Sequence, residues 1–396
     1  MAQEWITEFL SGAGKLLLHP LFYISFLFAL VIGDLRIKRE RRDFNTRVED
    51  MYLELRHVLP LGLVMGLILS VLAIIAGLTV PAALLVIIAL LSVLACAVFK
   101  LKLLSPAFTV GLSFFFLYLI NGRDIPVPLF EEAFQSLNGA VYPSAAVLLG
   151  LLLTVEGLLI GRDGYIKTSP KLIKSRRGAL VGAHVSRRLW LVPLFLFIPG
   201  GSLEPPFSWW PVFTLGESTF TPVLVPFLIG FSQRVQGYLP KESIKLNGRR
   251  TAFLGIIVLL LSAAGWFYEE LAIAAAGMAV LGRILLHFLQ KQSEERRPFY
   301  FSRQDQGLMI LGIIPGSPAA RMGLEVGEIV TKVNGVKALN EQQFYEALQR
   351  NGAHCKLEVL NTNGQIRFVQ RALYEGEHHE LGILFVQEQK KREAAG

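Results

Sequence analysis

The feature that most constrains this chain is a series of apolar runs, each about 20 residues long. A helix of about 20 apolar residues crosses the hydrocarbon core of a bilayer, so every such run is a candidate span. A shorter run at 189–200 ends in Pro199 and Gly200 and is a candidate for a short or broken span. We therefore expect a polytopic α-helical membrane domain with about eight spans. The longer runs lie at 16–33, 58–78, 80–99, 103–120, 143–161, 211–231, 251–268 and 271–289.

Composition excludes several classes of protein. The 396 residues are 53% hydrophobic and 18% charged, whereas soluble domains are about a quarter charged. A purely soluble enzyme, a disordered regulator and a disulfide-rich secreted scaffold are therefore excluded. The two cysteines, Cys96 and Cys355, give no disulfide framework, and we expect both to be small buried hydrophobic side chains.

The charged segments indicate an orientation in the membrane. Segments 36–57, 162–188 and 233–250 are rich in Lys and Arg, whereas 121–142 holds more acidic than basic residues. The positive-inside rule places the three basic segments and the C-terminal part in the cytoplasm, and 121–142 outside. The formal net charge of +8 favours contact of the basic loops with anionic lipid rather than binding of nucleic acid.

The parity of the spans stays open at this point. Nine spans would place the N-terminus outside. Eight would place it inside, with 189–200 re-entrant or the first segment only half inserted.

An acidic side chain, Glu156, lies within the run 143–161. An intramembrane carboxylate is a functional candidate by default, but ion and proton pathways usually need several such groups on facing helices. A basic segment begins nearby at Arg162. We therefore expect Glu156 to form a structural ion pair or to snorkel toward that segment.

The C-terminal part has the composition of a soluble domain. Residues 1–290 form the membrane domain, the charged segment 291–298 is a plausible linker, 299–388 forms the domain, and 389–396 is a charged tail. Alternating apolar runs separated by Gly and Asn turns predict a small α+β partial barrel with two helices. The predicted elements are strand 307–314, helix 317–323, strand 327–333, helix 340–350, and strands 354–360, 365–373 and 381–387.

Residues 307–348, GLMILGIIPGSPAARMGLEVGEIVTKVNGVKALNEQQFYEAL, resemble the central part of a bacterial PDZ domain. Ser317 is placed to cap a helix that Pro318 opens, and Gly323 suits the end of that helix. Asn334 and Gly335 suit a tight turn with positive φ. The structural turn residues of this pattern are Gly316, Pro318, Gly323, Asn334 and Gly335.

The PDZ resemblance implies a peptide site between one strand and the second helix, where a peptide adds a strand to the sheet edge. Two segments compete for the groove strand, 307–310 and 380–383. We choose 380–386, which implies a circularly permuted domain with the groove strand at its C-terminal end. The alternative for the helix residues is that they are simply core. The predicted groove residues are Glu380, Leu381, Gly382 and Ile383 on the strand, and Phe344, Ala347 and Leu348 on the helix.

No motif for catalysis or metal binding is present. The sequence has no HExxH within a span, no GNSGG-type nucleophile loop, and no room for the soluble domain of a Ser-Lys protease. The glycines of SGAGK at 11–15 are too few for a phosphate loop, and His378-His379-Glu380 lacks metal-ligand spacing. We therefore predict a protein that is not an enzyme and holds no cofactor or metal.

The whole chain resembles the MinJ family, the topological factors of the Min division-site system in Firmicutes. The likeness is carried by residues 19–50, HPLFYISFLFALVIGDLRIKRERRDFNTRVED, and by the C-terminal PDZ domain. It implies a non-catalytic membrane scaffold at septum and poles that links the coiled-coil protein DivIVA to the membrane ATPase MinD, and so to MinC, beside other divisome membrane proteins. It also implies cytosolic termini, which favours eight spans.

Two other functions stay open from the sequence. A PDZ-containing regulator of membrane proteolysis would bind apolar C-termini. A transporter with a regulatory PDZ domain would need more paired intramembrane charges than Glu156 alone offers.

Overall fold

The computed structural model describes residues 2–120, 141–205, 207, 210–211, 219–351, 354–373 and 381–386. The predicted outer loop 121–142 falls almost wholly outside these residues, as do Glu380 and the tail 389–396. The helices before the C-terminal domain are α1 (Ala2–Leu18), α2 (Pro20–Phe44), α3 (Leu53–Val58), α4 (Pro60–Ala76), α5 (Ala82–Ala97), a 3-10 turn (Leu101–Leu104), α6 (Pro106–Ile120), α7 (Val141–Asp163), α8 (Pro240–Ala264) and α9 (Glu269–Arg296).

Five helical segments of the described chain are long and apolar enough to cross a membrane. They coincide with predicted spans, and the helices α5 and α6 are apolar but shorter. The predicted helical region with several apolar helices is therefore confirmed, although its helices are less uniform than predicted. The five segments are Pro20–Phe44, Leu53–Ala76, Val141–Asp163, Pro240–Ala264 and Glu269–Arg296.

Two apolar runs that we predicted as membrane helices are strands instead. The run 189–200 lies in β2 (Leu180–Leu203), and residues 220–231 of the second run, 211–231, lie in β3 (Phe220–Val235). The two strands pair antiparallel as a long hairpin. Proline lacks the backbone N–H that a helix interior requires. Pro193 faces Pro226 across the ladder, so both runs are poorly suited to a helix.

Neighbouring helices cover both edges of the hairpin. Gly62 and Gly66 on α4 let that helix approach the backbone of β2, and the Ser70 hydroxyl accepts the amide hydrogen of Phe195 at 2.9 Å. Gly12 on α1 lies against the backbone of β3 at Pro222. An open sheet edge is not tolerated in hydrocarbon, so the hairpin depends on this cover for burial among membrane helices.

The N-terminal helix begins at the tip of the hairpin. The Trp5 ring lies 5.8 Å from that of Trp210 and 6.3 Å from that of Phe197. The C-terminal domain instead packs at the base of the hairpin, where Gly182 pairs with Phe301. The N-terminal helix and the C-terminal domain therefore lie at opposite ends of the hairpin.

The predicted basic loops are largely ordered secondary structure. Helix α2 continues to Phe44, so the segment 36–57 is not an open loop. The Arg36 guanidinium is buried and pairs with Glu40 at 3.2 Å and with Glu54 at 2.7 Å. Segment 162–188 contains β1 (Ser169–Lys174) and the first part of β2. Acidic residues within the basic segments, such as Glu40 and Glu54, hold these elements in place. A search for segments rich in Lys and Arg overlooks them.

Glu156 forms a structural ion pair, as expected, but with a partner distant in sequence. Its carboxylate lies 2.5 Å from the Arg283 guanidinium of α9 and accepts the Ser105 hydroxyl at 2.6 Å. All three side chains are buried. The interaction joins α7 to α9 within the helical core, and Arg162 is not the partner.

The C-terminal domain is a small α+β barrel, as predicted. Its sheet runs in the order β8-β7-β5-β4-β9, and β6 pairs with β5. Helix α9 continues through Arg296, so most of the predicted linker 291–298 is helical. The elements are β4 (Leu308–Ile313), α10 (Pro318–Arg321), β5 (Ile329–Val333), β6 (Val336–Lys337), α11 (Glu341–Gln349), β7 (His354–Leu360), β8 (Ile366–Ala372) and β9 (Ile383–Phe385).

Candidate peptide-binding site

The turns of the C-terminal domain adopt the conformations that their residues suggest. Gly316, Gly323 and Gly335 have φ of +75°, +69° and +84°, values that glycine adopts without strain. Asn334 has φ +50°, and its side chain accepts the Lys356 amide hydrogen at 2.9 Å. These contacts fix the hairpin between β5 and β6 against β7.

The short helix α10 begins as the sequence predicts. The Ser317 hydroxyl accepts the Ala320 amide hydrogen at 3.3 Å, and Pro318 occupies the first helical turn. This helix also holds the segment before β9, because the Ala319 amide donates to the Leu381 carbonyl at 3.0 Å. The loop after β4 and the loop before β9 are therefore joined.

The predicted groove strand lies at the edge of the sheet. Strand β9 pairs with β4 through Ile383, Leu384 and Phe385. Its other edge has no strand beside it among the described residues. Gly382 precedes it with φ +75°, and a side chain there would collide with Ser317. An edge strand with free backbone donors and acceptors can accept an added peptide strand.

Helix α11 packs directly against β9. The rings of Phe344 and Phe385 lie 5.1 Å apart, edge to face. The structure thus brings the predicted helix and the predicted strand together. However, the groove residues that are described are also core residues: Phe344, Ala347, Leu348, Leu381 and Ile383 are all at most 4% exposed.

Partly buried residues border this core, and sequence reasoning did not select them. Tyr345 and Ile313 pack against the core without being enclosed by it. Tyr345 follows Phe344, and their rings are 5.3 Å apart. Phe385 was also missed, although its position two residues after Ile383 placed it on the same face of the strand.

The opposite face of β9 packs on the membrane part rather than on solvent. Leu384, between Ile383 and Phe385, joins a buried cluster that we call the docking cluster. This alternation places the candidate groove strand between the core of its own domain and the membrane part. The buried members of the docking cluster are Phe44, Val48, Phe301, Met309, Leu311 and Leu384.

Polar contacts accompany the docking cluster. His184 of β2 approaches the Leu311 carbonyl with Nε2 at 2.9 Å and the Thr168 hydroxyl with Nδ1 at 2.9 Å. The Gly182 amide donates to the Phe301 carbonyl at 2.7 Å. These contacts tie the PDZ-like domain to the base of the hairpin in a defined orientation.

One ion pair involves β8, which lies at the opposite edge of the sheet from β9. Arg367 of β8 reaches the Glu328 carboxylate with Nε at 2.8 Å and Nη2 at 2.7 Å. The hydrogen bond to Glu328 raises the pKa of the Arg367 guanidinium above its ordinary value. No group of His, Cys, Asp and Glu that could hold a metal ion occurs in the described part of the chain.

The PDZ domain family matches residues 309–361, which cover β4 through β7. The candidate groove strand β9 lies beyond that match. Within the described sheet, this candidate strand comes last in the sequence and pairs with β4 at the sheet edge.

Curated relatives match the whole chain. The chain is 45% identical to "Cell division topological determinant MinJ" of Bacillus subtilis (strain 168), covering 100% of this chain and 99% of the relative. It is 25% identical to "Probable cell division topological determinant MinJ" of Lacticaseibacillus paracasei and of Lacticaseibacillus casei (strain BD-II), covering 94% of this chain and 98% of each relative. No solved structure gives a significant match.

Proposed function

The chain belongs to the MinJ family of cell-division topological determinants, and from this membership we propose that it is a non-catalytic membrane scaffold of division-site selection. The observation that supports the scaffold most directly is the free edge of β9, presented by a PDZ domain that is held against the membrane part. Such an arrangement holds a peptide-binding module in a fixed position at the membrane.

The ligand of this module is an extended peptide segment. Its main chain would add to the free edge of β9, and its side chains would lie toward α11. Because Phe344, Ala347 and Leu348 already fill the core, specificity would depend on partly buried positions such as Tyr345. The groove therefore suits a shallow backbone-led contact rather than deep insertion of a large side chain.

The proposed partners are those that the family resemblance implies. A DivIVA-like coiled-coil protein would direct this chain to the septum and poles, and this chain would recruit a MinD-like membrane ATPase together with MinC. The PDZ domain and the exposed parts of the basic segments, such as Arg176 and Arg177, are the surfaces offered. The proposal requires the PDZ domain to lie in the cytoplasm together with both partners.

A fluorescent fusion of the full chain in dividing rod-shaped cells tests the scaffold role. We expect enrichment at septa and poles that disperses when the DivIVA-like protein is deleted. The matched observation is MinD, which should lose its septal enrichment when this chain is deleted. Uniform membrane fluorescence in both strains would contradict the proposal and favour a regulator of proteolysis or transport.

A further inference from the structure

One face of the hairpin base carries basic side chains. Ser169, Val185 and Arg234 lie opposite one another across the three strands, so their side chains share a face. Lys171 and Arg187 lie two residues along β1 and β2, which places both on that same face. We call Lys171, Arg187 and Arg234, together with Arg39 described next, the cationic face.

Helix α2 adds Arg39 to this face. Its Nη2 donates to the Ser169 hydroxyl at 2.7 Å. A small cavity opens beside this contact, and its wall includes Arg39, Arg187 and Arg188. The Nε atom of Arg39 is buried there without a hydrogen-bond partner in the described structure. Arg188 lies on the opposite face of β2 from Arg187, and its buried Nε lies 3.8 Å from the Asp163 carboxylate. Unpartnered buried donors are costly, so the site calls for an acceptor.

The carboxylates near the cationic face are already engaged. Glu40 and Glu54 hold Arg36. Lys171, Arg187 and Arg234 form no ion pair with any carboxylate in the described ranges. Burial, together with the like charges of Arg39 and Arg234, lowers the pKa of the Lys171 ammonium. The face therefore carries positive charge that the protein itself does not neutralise.

The position of the cationic face selects the kind of anion. Arg187 lies two residues before Leu189, where the apolar section of β2 begins. Arg234 lies three residues after Phe231, where the apolar section of β3 ends. On α2, Leu35 and Val31 are exposed one and two turns before Arg39. The cations thus stand at the border between apolar and polar surface, the level of lipid headgroups.

We propose that the cationic face binds the phosphate group of an anionic phospholipid. Guanidinium groups match phosphate oxygens in a bidentate geometry, and Arg187 and Arg39 both line the cavity. The acyl chains would lie against the exposed apolar side chains of α2. A bound headgroup would satisfy the buried Nε atom of Arg39 and hold the base of the hairpin, on which the PDZ domain docks, at the membrane surface.

The test is binding of fluorescent short-chain phosphatidylglycerol to the full chain in a neutral detergent. We expect the double variant Arg187→Gln with Arg234→Gln to bind about thirtyfold more weakly, from roughly fivefold for each charge. The matched control is Arg176→Gln with Arg177→Gln, which removes two exposed charges from the turn between β1 and β2 and should bind as the unsubstituted chain does. Arg187→Lys with Arg234→Lys keeps the charge but loses the bidentate geometry, so it should bind more tightly than the double-glutamine variant and more weakly than the unsubstituted chain.

The competitors distinguish a lipid from a soluble anion. Phosphatidylcholine and inorganic phosphate, each in excess, should displace the probe weakly. Equal loss of affinity in the two double-glutamine variants would overturn the site, because it would mean that general charge attracts the lipid. If inorganic phosphate displaced the fluorescent probe at the same concentration as unlabelled phosphatidylglycerol does, the assignment to a lipid would be overturned. A thermal melt of each variant shows whether it is folded. If the double-glutamine variant at 187 and 234 does not fold, the affinity of Arg187→Lys with Arg234→Lys tests the site instead.

Discussion

The Nε2 atom of His184 lies 2.9 Å from the carbonyl oxygen of Leu311, across the junction between the hairpin and the PDZ domain. A carbonyl only accepts, so Nε2 carries the hydrogen and Nδ1 accepts from the Thr168 hydroxyl. A neutral imidazole satisfies both contacts. Burial lowers the pKa of His184 to about 4, which keeps it neutral at physiological pH.

Docking of the PDZ domain should therefore weaken in acid. The pKa of His184 is lower in the docked state than the ordinary value of 6.5, so the stabilisation is complete above that value and is lost as pH falls toward 4. Spin labels at Arg177→Cys and Asn363→Cys report the distance between hairpin and domain. We expect one distance at pH 7.5 and a broadened distribution at pH 4.5.

The control for the acid effect is His184→Gln. A glutamine amide donates and accepts without titrating near neutral pH. The variant should dock at pH 7.5 and keep its distance distribution down to pH 4.5. Identical broadening with and without the histidine would show that other groups govern docking.

Gly382→Val should damage the candidate groove more than the same change at Gly364. Both glycines have positive φ, +75° and +79°, so both valines are strained. Only at Gly382 does the new Cβ also meet another residue, Ser317, whereas Gly364 faces open space. We expect the added overlap to cost about 1–3 kcal/mol of unfolding free energy. Denaturant unfolding of the C-terminal domain within the full chain measures the difference.

Leu384→Asp should release the PDZ domain from the membrane part while the domain stays folded. Leu384 lies in the docking cluster, and a buried carboxylate there has no basic partner in the cluster. Hydrogen exchange should rise at Phe301 and Leu311 but not at Val359. Ile366→Asp is the control, because Ile366 is 60% exposed on β8. Increased exchange throughout the domain in Leu384→Asp would mean that the residue stabilises its fold instead.

Removal of one partner of the Glu156–Arg283 pair should strongly destabilise the helical core. The remaining charge would be buried without compensation, at a cost of about 3–5 kcal/mol. Removing both charges with Glu156→Leu and Arg283→Met should restore most of that stability. The comparison is Lys332→Met, which breaks a half-exposed pair with Glu358 and should cost less than about 1 kcal/mol. Thermal unfolding in detergent separates these results.

The two ends of the hairpin should lie on opposite sides of the membrane. Trp5 lies at the hairpin tip and the PDZ domain at its base, so Gln3→Cys should react with an impermeant maleimide in whole cells. Arg176→Cys should react only after the cells are permeabilised. The native cysteines are buried and give a low background. Protection of both positions in whole cells would support cytosolic termini.

The sequence predicted those parts of the fold that local patterns determine. Long apolar runs marked the helices, and Ser317, Pro318 and Asn334 marked the turns of the PDZ domain because each residue's conformation follows from its own chemistry. The hairpin was missed because a run that is buried on every side has no distinguishing period, in a strand or in a helix. Pro193, Pro222 and Pro226 were the available signal.

The two elements of the candidate site could be predicted from the sequence, whereas the packing around them could not. The likeness of residues 380–383 to a groove strand located β9, and the spacing of α11 located Phe344. The burial of Leu384 in one cluster with Phe44 depends on tertiary packing between segments more than a hundred residues apart, which no local pattern encodes. The same holds for Arg283, whose pairing with Glu156 joins two helices that are not neighbours in sequence.

The most direct test of the scaffold and its groove is the septal fluorescence of labelled MinD in dividing cells that carry variants of this chain. Gly364→Val should leave MinD enriched at septa, as in cells with the unsubstituted chain. Gly382→Val, expressed at the same level and still at the membrane, should disperse MinD. Septal MinD of equal intensity in both strains would contradict the account, because β9 could then not be the surface that recruits partners.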